Sequence, residues 1–437
     1  MIRFALATAM ALILSVPAQA AVDIKEVSSE GGITAWLVEE HSIPFIALEI
    51  RFRGGASLDE PDKRGAINLM TGLIEEGAGD LDARGFAAAQ EALAARFSFD
   101  VYDDAMTVSA RFLTENRDAS VALLRSALIE PRFDEDAIER VREQVLSIIR
   151  SDATDPDEMA SRAFDTMAFG DHPYATSLNG TAESVSGLTR ADLVAAHQRV
   201  LAKDRLYVGA VGDITEEELG ALLDALLGDL PETGAPQPAD VVVDMPGGVT
   251  VVPFETPQSV AIFGHSGIKR DDPDFFAAFV MNQILGGGNF SSRLMNEVRE
   301  KRGLTYGVYS YLASKEHAEL MVGRVASAND RVAEAIAVIK AEWERLAAEG
   351  VTEQELEDAQ TYLTGAYPLR FDGNTNIAEI LAGMQLSGLP IDYINTRNDK
   401  VNAVTLEDVR RVAKRLVRPD ALHFVVVGQP EGLEATN

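Results

Sequence analysis

Cysteine is absent from this chain of 437 residues, which excludes disulfides, a thiol nucleophile and any cysteine-ligated metal. Histidine is scarce. The six residues His41, His172, His197, His265, His317 and His423 show no paired helical spacing, so each is expected in a structural or solvent-facing role. Basic charge is also in deficit: 39 Lys and Arg stand against 69 Asp and Glu, a formal net charge of -30. Such a balance opposes nucleic acid and anionic membrane surfaces as partners; it suits a solvated surface and weakly favours basic peptides. No G-x-S-x-G elbow is present, and the stretch GGGNFSSR lacks the Gly-Lys-Ser/Thr ending of a phosphate-binding loop. Beyond the N-terminus no segment is long and apolar enough to span a bilayer.

What is present begins with MIRFALATAMALILSVPAQA, residues 1–20: one early Arg, an apolar run from Phe4 to Val16, and small residues at Ala18 and Ala20. The run is shorter than the ~20 residues of a membrane helix, and the Ala-Gln-Ala end matches the cleavage rule of a secretory signal peptide. The expectation is a mature chain from Ala21, exported and periplasmic.

Internal similarity sets the organisation. LTRADLVAAHQRVLAKDRLYVGAVG (188–212) aligns with VTLEDVRRVAKRLVRPDALHFVVVG (404–428) without a gap, pairing Thr189 with Thr405, Asp192 with Asp408 and Gly212 with Gly428. In each copy a Thr precedes an amphipathic helix that gives way to a β-rich run. Upstream, EPDKRGAINLM (60–70) resembles DPDFFAAFVMN (272–282), with Pro61 on Pro273. The chain therefore reads as a duplication: a first half over 21–230, a Pro/Gly-rich connector over 231–247, and a second half over 248–437. Strands and helices that do not alternate strictly predict an α+β fold, each half an antiparallel-rich sheet covered by helices, the two facing each other across a cleft.

Two stretches carry candidate chemistry. In the first half, RGAINLMTGLIEEG (64–77) reads as a helix with a core stripe of Ala66, Leu69, Met70, Leu73 and Ile74. A second face holds Asn68, Thr71 and Gly72; a glycine there points either to close packing or to a vacated functional position. In the second half, LGGG is followed by SSRL and VREKRGLTYGV. SSRLMNEVREK reads as a helix, Gly303 as its stop and LTYGVYSY as a strand, a turn able to bring Arg299 and Tyr306 together.

Residues 259–311 resemble the second-half signature of the pitrilysin or insulinase-type zinc metallopeptidases, which include the processing peptidase subunits, and the likeness extends over the mature chain. In that family an inverted zinc motif, H-x-x-E-H, lies on the helix matched by residues 64–77: two histidines bind the metal and the Glu activates its water. Here Asn68 and Gly72 stand in the histidine positions and Thr71 in that of the Glu. Ser147 and Ile148 occupy the region of the third ligand. The resemblance thus implies a member with no zinc or other cofactor in this chain.

It also implies a role for Arg299 and Tyr306, whose family counterparts face the zinc site from the second half and bind the substrate carbonyl and developing oxyanion. Some similar proteins are heterodimers in which one subunit carries zinc and the other supplies the Arg/Tyr pair. The expectation is a non-zinc-binding subunit, not active alone, paired with a homologous zinc-bearing peptidase subunit and acting on peptides. Gly286, Gly287 and Gly288 are candidates for close approach to substrate, for a hinge, or for a plain tight turn. Ser291, Ser292 and Arg293 are expected to cap and anchor the following helix. The alternative is a noncatalytic scaffold or peptide-binding protein.

Overall fold

The computed structural model describes residues 23–287 and 290–436; residues 1–20, where the sequence predicts a signal peptide, and Gly288 lie outside them. The first half builds a sheet from β1 (Lys25–Ser28), β2 (Thr34–Glu39), β3 (Phe45–Arg53), β6 (Arg96–Val101), β7 (Ala105–Leu113) and β8 (Leu206–Gly212); β4 (Gly77–Ala78) and β5 (Leu81–Asp82) form a separate small hairpin. The strand order is β1-β2-β8-β3-β7-β6, antiparallel except for the parallel pair β2 and β8. The second half builds its sheet from β9 (Gly248–Pro253), β10 (Gln258–Ser266), β11 (Val308–Ser314), β12 (Glu319–Ala328) and β13 (His423–Gly428), in the order β11-β12-β10-β13-β9. Its one parallel pair, β9 with β13, matches β2 with β8. Apart from the extra edge strand β1, the two sheets have one topology.

The duplication reaches single residues. Thr189 caps the helix Arg190–Val200 and Thr405 caps Leu406–Leu416, each exchanging hydrogen bonds with the Asp three positions on. The strands that follow end on Gly212 and Gly428, with φ of 141° and 148°.

Each central strand is apolar on both faces. Along β3, Ile46, Leu48, Ile50 and Phe52 enter the core made with the first half's own helices, while Ala47 faces the opposite way. Along β13, Phe424 and Val426 enter the second core and Val425 and Val427 face away. A sheet buried on both faces needs two covers. The second cover comes from the other half. The helix Asn374–Leu386 lies on β3 and β8 of the first sheet, placing Ala378, Leu381 and Met384 against Trp36, Ala47 and Val211. The helix Pro156–Phe169 of the first half lies on β10 and β13, packing Ala160 and Phe164 against Val260, Val425 and Val427. Gly209 lets the first of these helices come close, since a Cβ there would stand 2.4 Å from the Ala378 carbonyl oxygen.

The connector 231–247 contains no helix or strand, as its composition predicts, but it is not a free spacer. Val243 and Met245 are buried beside Phe164 and Val425, and the Val241 N–H donates to the His317 carbonyl at 2.8 Å. Polar contacts also cross the seam between halves. Lys315 pairs with Asp103, Arg53 with Glu316 and Arg324 with Asp157. A cavity of about 520 Å³ opens along it, lined by Arg53 and Asp104 from the first half and Lys269, Lys315 and Glu319 from the second. The α+β halves therefore face each other, but reciprocal helices and ion pairs fasten them together.

Candidate functional site

The helix predicted over 64–77 is regular over Ala66–Thr71, and the next residues continue as turns. Its core stripe of Ala66, Leu69, Met70, Leu73 and Ile74 is buried as expected. The buried Asp59 organises the helix start by accepting from the Gly65 and Ile67 N–H groups at 2.7 and 2.9 Å. Burial pushes its carboxyl up to about 7, against the pull of those two hydrogen bonds.

The three positions singled out on the second face lack metal-binding chemistry. The Asn68 side-chain amide donates to Asn179 Oδ1 at 2.9 Å, and Asn179 Nδ2 donates in turn to Asp152 at 3.3 Å. Thr71 is buried and returns its hydroxyl to the Ile67 carbonyl at 2.8 Å. Gly72 answers the question its sequence position raised: a Cβ would meet Val141 Cγ1 at 3.2 Å, tight against the helix Glu135–Asp152. On that helix Ser147 and Ile148 are exposed. An amide, a hydroxyl turned to the backbone and a glycine do not make a zinc site. Among the described residues no group of three or more His, Asp or Glu is placed to hold a metal ion.

In the second half, residues 295–300 form a π-helical segment, Met295–Glu300, which carries Arg299 in its last turn. Arg293 anchors its start, donating to both Glu355 carboxylate oxygens at 2.6 and 2.8 Å and to the Gly350 carbonyl at 2.9 Å. Although burial pushes the Glu355 carboxyl up, Arg293 and the Thr352 N–H bring it down to about 2. The helix stops at Gly303, with φ of 59°; the Leu304 N–H reaches back to the Val298 carbonyl at 3.0 Å. Strand β11 begins at Val308 rather than at Leu304, so Tyr306 sits on a bend before it.

That bend is pinned on both sides. The Thr305 hydroxyl donates to the Ala326 carbonyl at 2.6 Å and accepts from the Gly307 N–H at 3.1 Å, while Ser327 donates to the Leu304 carbonyl at 2.6 Å. Between these anchors Tyr306 projects outward, 88% exposed. Arg299 rests its guanidinium 4.7 Å from the Phe290 ring centroid and 3.6 Å from Glu300. Among the described residues no hydrogen bond joins Arg299 to Tyr306, so the turn holds them on one segment without closing them into a direct pair. Phe290 went unnoticed in the sequence; an exposed aromatic beside the glycine run was its only signal.

The glycine run divides. Gly286 is buried, and Ser310 Oγ lies 2.3 Å from where its Cβ would be, so it packs the helix Phe275–Gly286 closely against β11. Gly287 is partly exposed, and Gly288 lies outside the described residues. The histidines that looked structural have structural partners: His265 accepts from Trp343 Nε1 at 3.0 Å, and burial lowers it to about 4. His423 is held by the Gly247 carbonyl at 2.7 Å and the Thr250 hydroxyl at 3.0 Å.

With this geometry in hand, comparison with known proteins is decisive. A profile described as "Insulinase (Peptidase family M16)" matches residues 35–182, and one described as "Peptidase M16 inactive domain" matches 187–363. The chain belongs to the insulinase family. It is a member that lacks the zinc motif.

Among its relatives is a protein of Helicobacter pylori named "Non-peptidase homolog YmxG", 27% identical over 390 residues, which cover 89% of this chain and 90% of that one. An uncharacterized zinc protease of Mycobacterium tuberculosis is 28% identical over 357 residues, 81% of each chain. Among solved structures, a peptidase M16 inactive domain from Pseudomonas fluorescens superposes with a TM-score of 0.86 at 28% identity, covering 94% of this chain and all of that one.

Proposed function

We propose that this noncatalytic member of the insulinase family is the zinc-free subunit of an exported heterodimeric metallopeptidase. In this reading it encloses part of the chamber and presents Arg299 and Tyr306 to a substrate peptide held at the zinc of a homologous partner. The observation that carries it is the contrast between backbone and side chain at Tyr306: the flanking residues are bonded in place while the phenol is 88% exposed. A phenol and a guanidinium held on one turn suit a carbonyl oxygen that gains negative charge, and one such donor is worth ~3 kcal/mol in a transition state. Zinc, carried by the partner, supplies the activated water. Gly287, partly exposed beside the turn, is retained as a candidate for backbone approach to substrate. The residues at 1–20 support a periplasmic site of action.

The test uses a quenched fluorescent peptide library with the protein alone, the zinc-bearing partner alone, and the mixture. Cleavage by the mixture alone, reduced about a hundredfold by Arg299→Ala or Tyr306→Phe with association unchanged, is the expected result. A mixture no faster than the partner alone would leave the second reading, a noncatalytic scaffold or peptide-binding protein. That reading is favoured by the local ties of Arg299 to Phe290 and Glu300.

A further inference from the structure

A cavity of about 390 Å³ lies where the helix Asn374–Leu386 leaves the second half and lands on the first sheet. The helix Phe275–Gly286 offers its N-terminal end to it as far as Phe279, so about 10 Å of helix separates the cavity from the glycine run. Its lining is unlike the rest of this acidic protein. Four arginines, Arg51, Arg270, Arg370 and Arg397, enter it against a single carboxylate, Glu379.

Arg51 is neutralised by Glu49, 3.2 Å away. The other three have no ion-pair partner among the described residues. Arg270 lies 4.0 Å from the Phe275 ring centroid and 5.5 Å from that of Tyr393, whose hydroxyl accepts its Nη2 at 2.6 Å. Arg397 lies 4.5 Å from the Tyr367 ring centroid and spends one nitrogen on the Leu363 carbonyl and the Asn398 side chain. Arg370 stands exposed at the rim.

Three unpaired guanidiniums against Glu379 leave two positive charges uncompensated in a chain whose net charge is -30. Cations stacked on rings keep their N–H donors at the edge, where a fork meets an oxyanion. Desolvation without a counter-charge is costly, and it lowers the Arg397 guanidinium below its ordinary value. The remaining wall is apolar, with Phe276, Phe279, Phe371, Ile380 and Met384. Gly383 keeps the cavity open to Arg51, since a Cβ there would fall 2.8 Å from its Nη1.

We propose that this cavity is a binding site for a small organic anion, a carboxylate or phosphate carried on an apolar or aromatic body. The oxyanion pairs with Arg270 and Arg370, and the body rests among the phenylalanines. A site of this size holds a small ligand, and because its walls come from both halves, occupancy stabilises their docking. It is independent of the Arg299 and Tyr306 turn.

The experiment is calorimetric titration of the full mature protein with three probes: octanoate, the dipeptide acetyl-glycyl-phenylalanine, and phenyl phosphate. Each is run beside its neutral counterpart, octanol, the dipeptide amide and phenol. At least one anion is expected to bind with a dissociation constant of about 1 mM or tighter, and its neutral counterpart at least tenfold more weakly. Which anion binds assigns the source: a fatty acid, a peptide end or a phosphate ester. Arg270→Gln and Arg370→Gln should each weaken binding about tenfold, and Arg140→Gln, far from the cavity, should not. Arg370 is exposed, so its replacement leaves the fold intact. Failure of all three anions to bind, or binding indifferent to both Arg270→Gln and Arg370→Gln, overturns the proposal.

Discussion

Phe290 carries the guanidinium of Arg299 at 4.7 Å from its ring centroid, and is itself 66% exposed. An aromatic platform of this kind orients a cation for ~0.5–1 kcal/mol at an exposed site. If Arg299 acts on substrate in the heterodimer, Phe290→Ala should slow cleavage by the mixture about two- to fivefold, well short of the loss from Arg299→Ala. Steady-state rates of the two variants decide it. Equal losses would mean that the ring does more than position the arginine.

Gly72 packs against Val141 with no room to spare. Restoring a metal-type side chain there should not simply recreate an older site. Gly72→His is expected to destabilise the protein by about 1–3 kcal/mol in urea unfolding, the usual cost of overpacking. In the double variant, Val141→Ala should recover part of that loss. Additive effects would show that the crowding does not arise from Val141.

Tyr174 is the polar pin of the seam. Its buried hydroxyl bonds Asp104 and accepts the His317 N–H at 3.2 Å, while Lys315 lies 4.3 Å from its ring centroid. Burial, then the Asp104 carboxylate, pushes the phenol well above its usual range, so it stays protonated and donating. Tyr174→Phe leaves Asp104 short of a partner and should cost about 1–3 kcal/mol. Equilibrium unfolding measures it, and an unchanged midpoint would remove Tyr174 from the contacts that fasten the halves.

Asp165, on the helix that crosses to the second sheet, has its carboxyl pushed up to about 7 by burial, against the pull of Lys315 and with a further push from Asp103 and Glu158. An unfolded Asp titrates near 4. Between these values the folded state holds a proton that the unfolded state has released, so stability falls as pH rises from about 4 to about 7. The contribution of one group has a slope of at most about 1.4 kcal/mol per pH unit. Asp165→Asn should flatten the dependence; Asp59, raised to about 7 by burial, leaves a second component of the same sign. An unaltered slope in Asp165→Asn would assign the whole dependence elsewhere.

Much of the plan was legible in one dimension because local signals carried it. Thr189 and Thr405 cap their helices through side chains three residues away, and Gly303 stops a helix by its own conformation; neither needs the rest of the chain. Strand β11 begins four residues later than its alternation predicts. LTYGVYSY alternates like a strand, but the Thr305 side chain takes the bonds that a strand would have made, bending the chain at Tyr306. The glycine at 286 signals close approach, a hinge or a tight turn, and the sequence does not say that Ser310 of the same chain is what packs against it. The arginine cavity left fragments, Arg270 ahead of Phe275 and Phe276, and Arg370 before Phe371, but its members come from five segments.

By itself, then, the sequence determined the repeat, the α+β halves, the family and the loss of zinc chemistry. Each of these rests on residue identity or on spacing within one element. Only the tertiary structure decided that each half's sheet is covered by a helix from the other, that Tyr306 faces outward from a pinned bend, and that unpaired guanidiniums gather beside aromatic rings. A strand such as Phe424–Val427 announces that both its faces must be buried. Which helix buries the second face depends on the reach of the connections and the fit of surfaces hundreds of residues apart, and no local pattern records that.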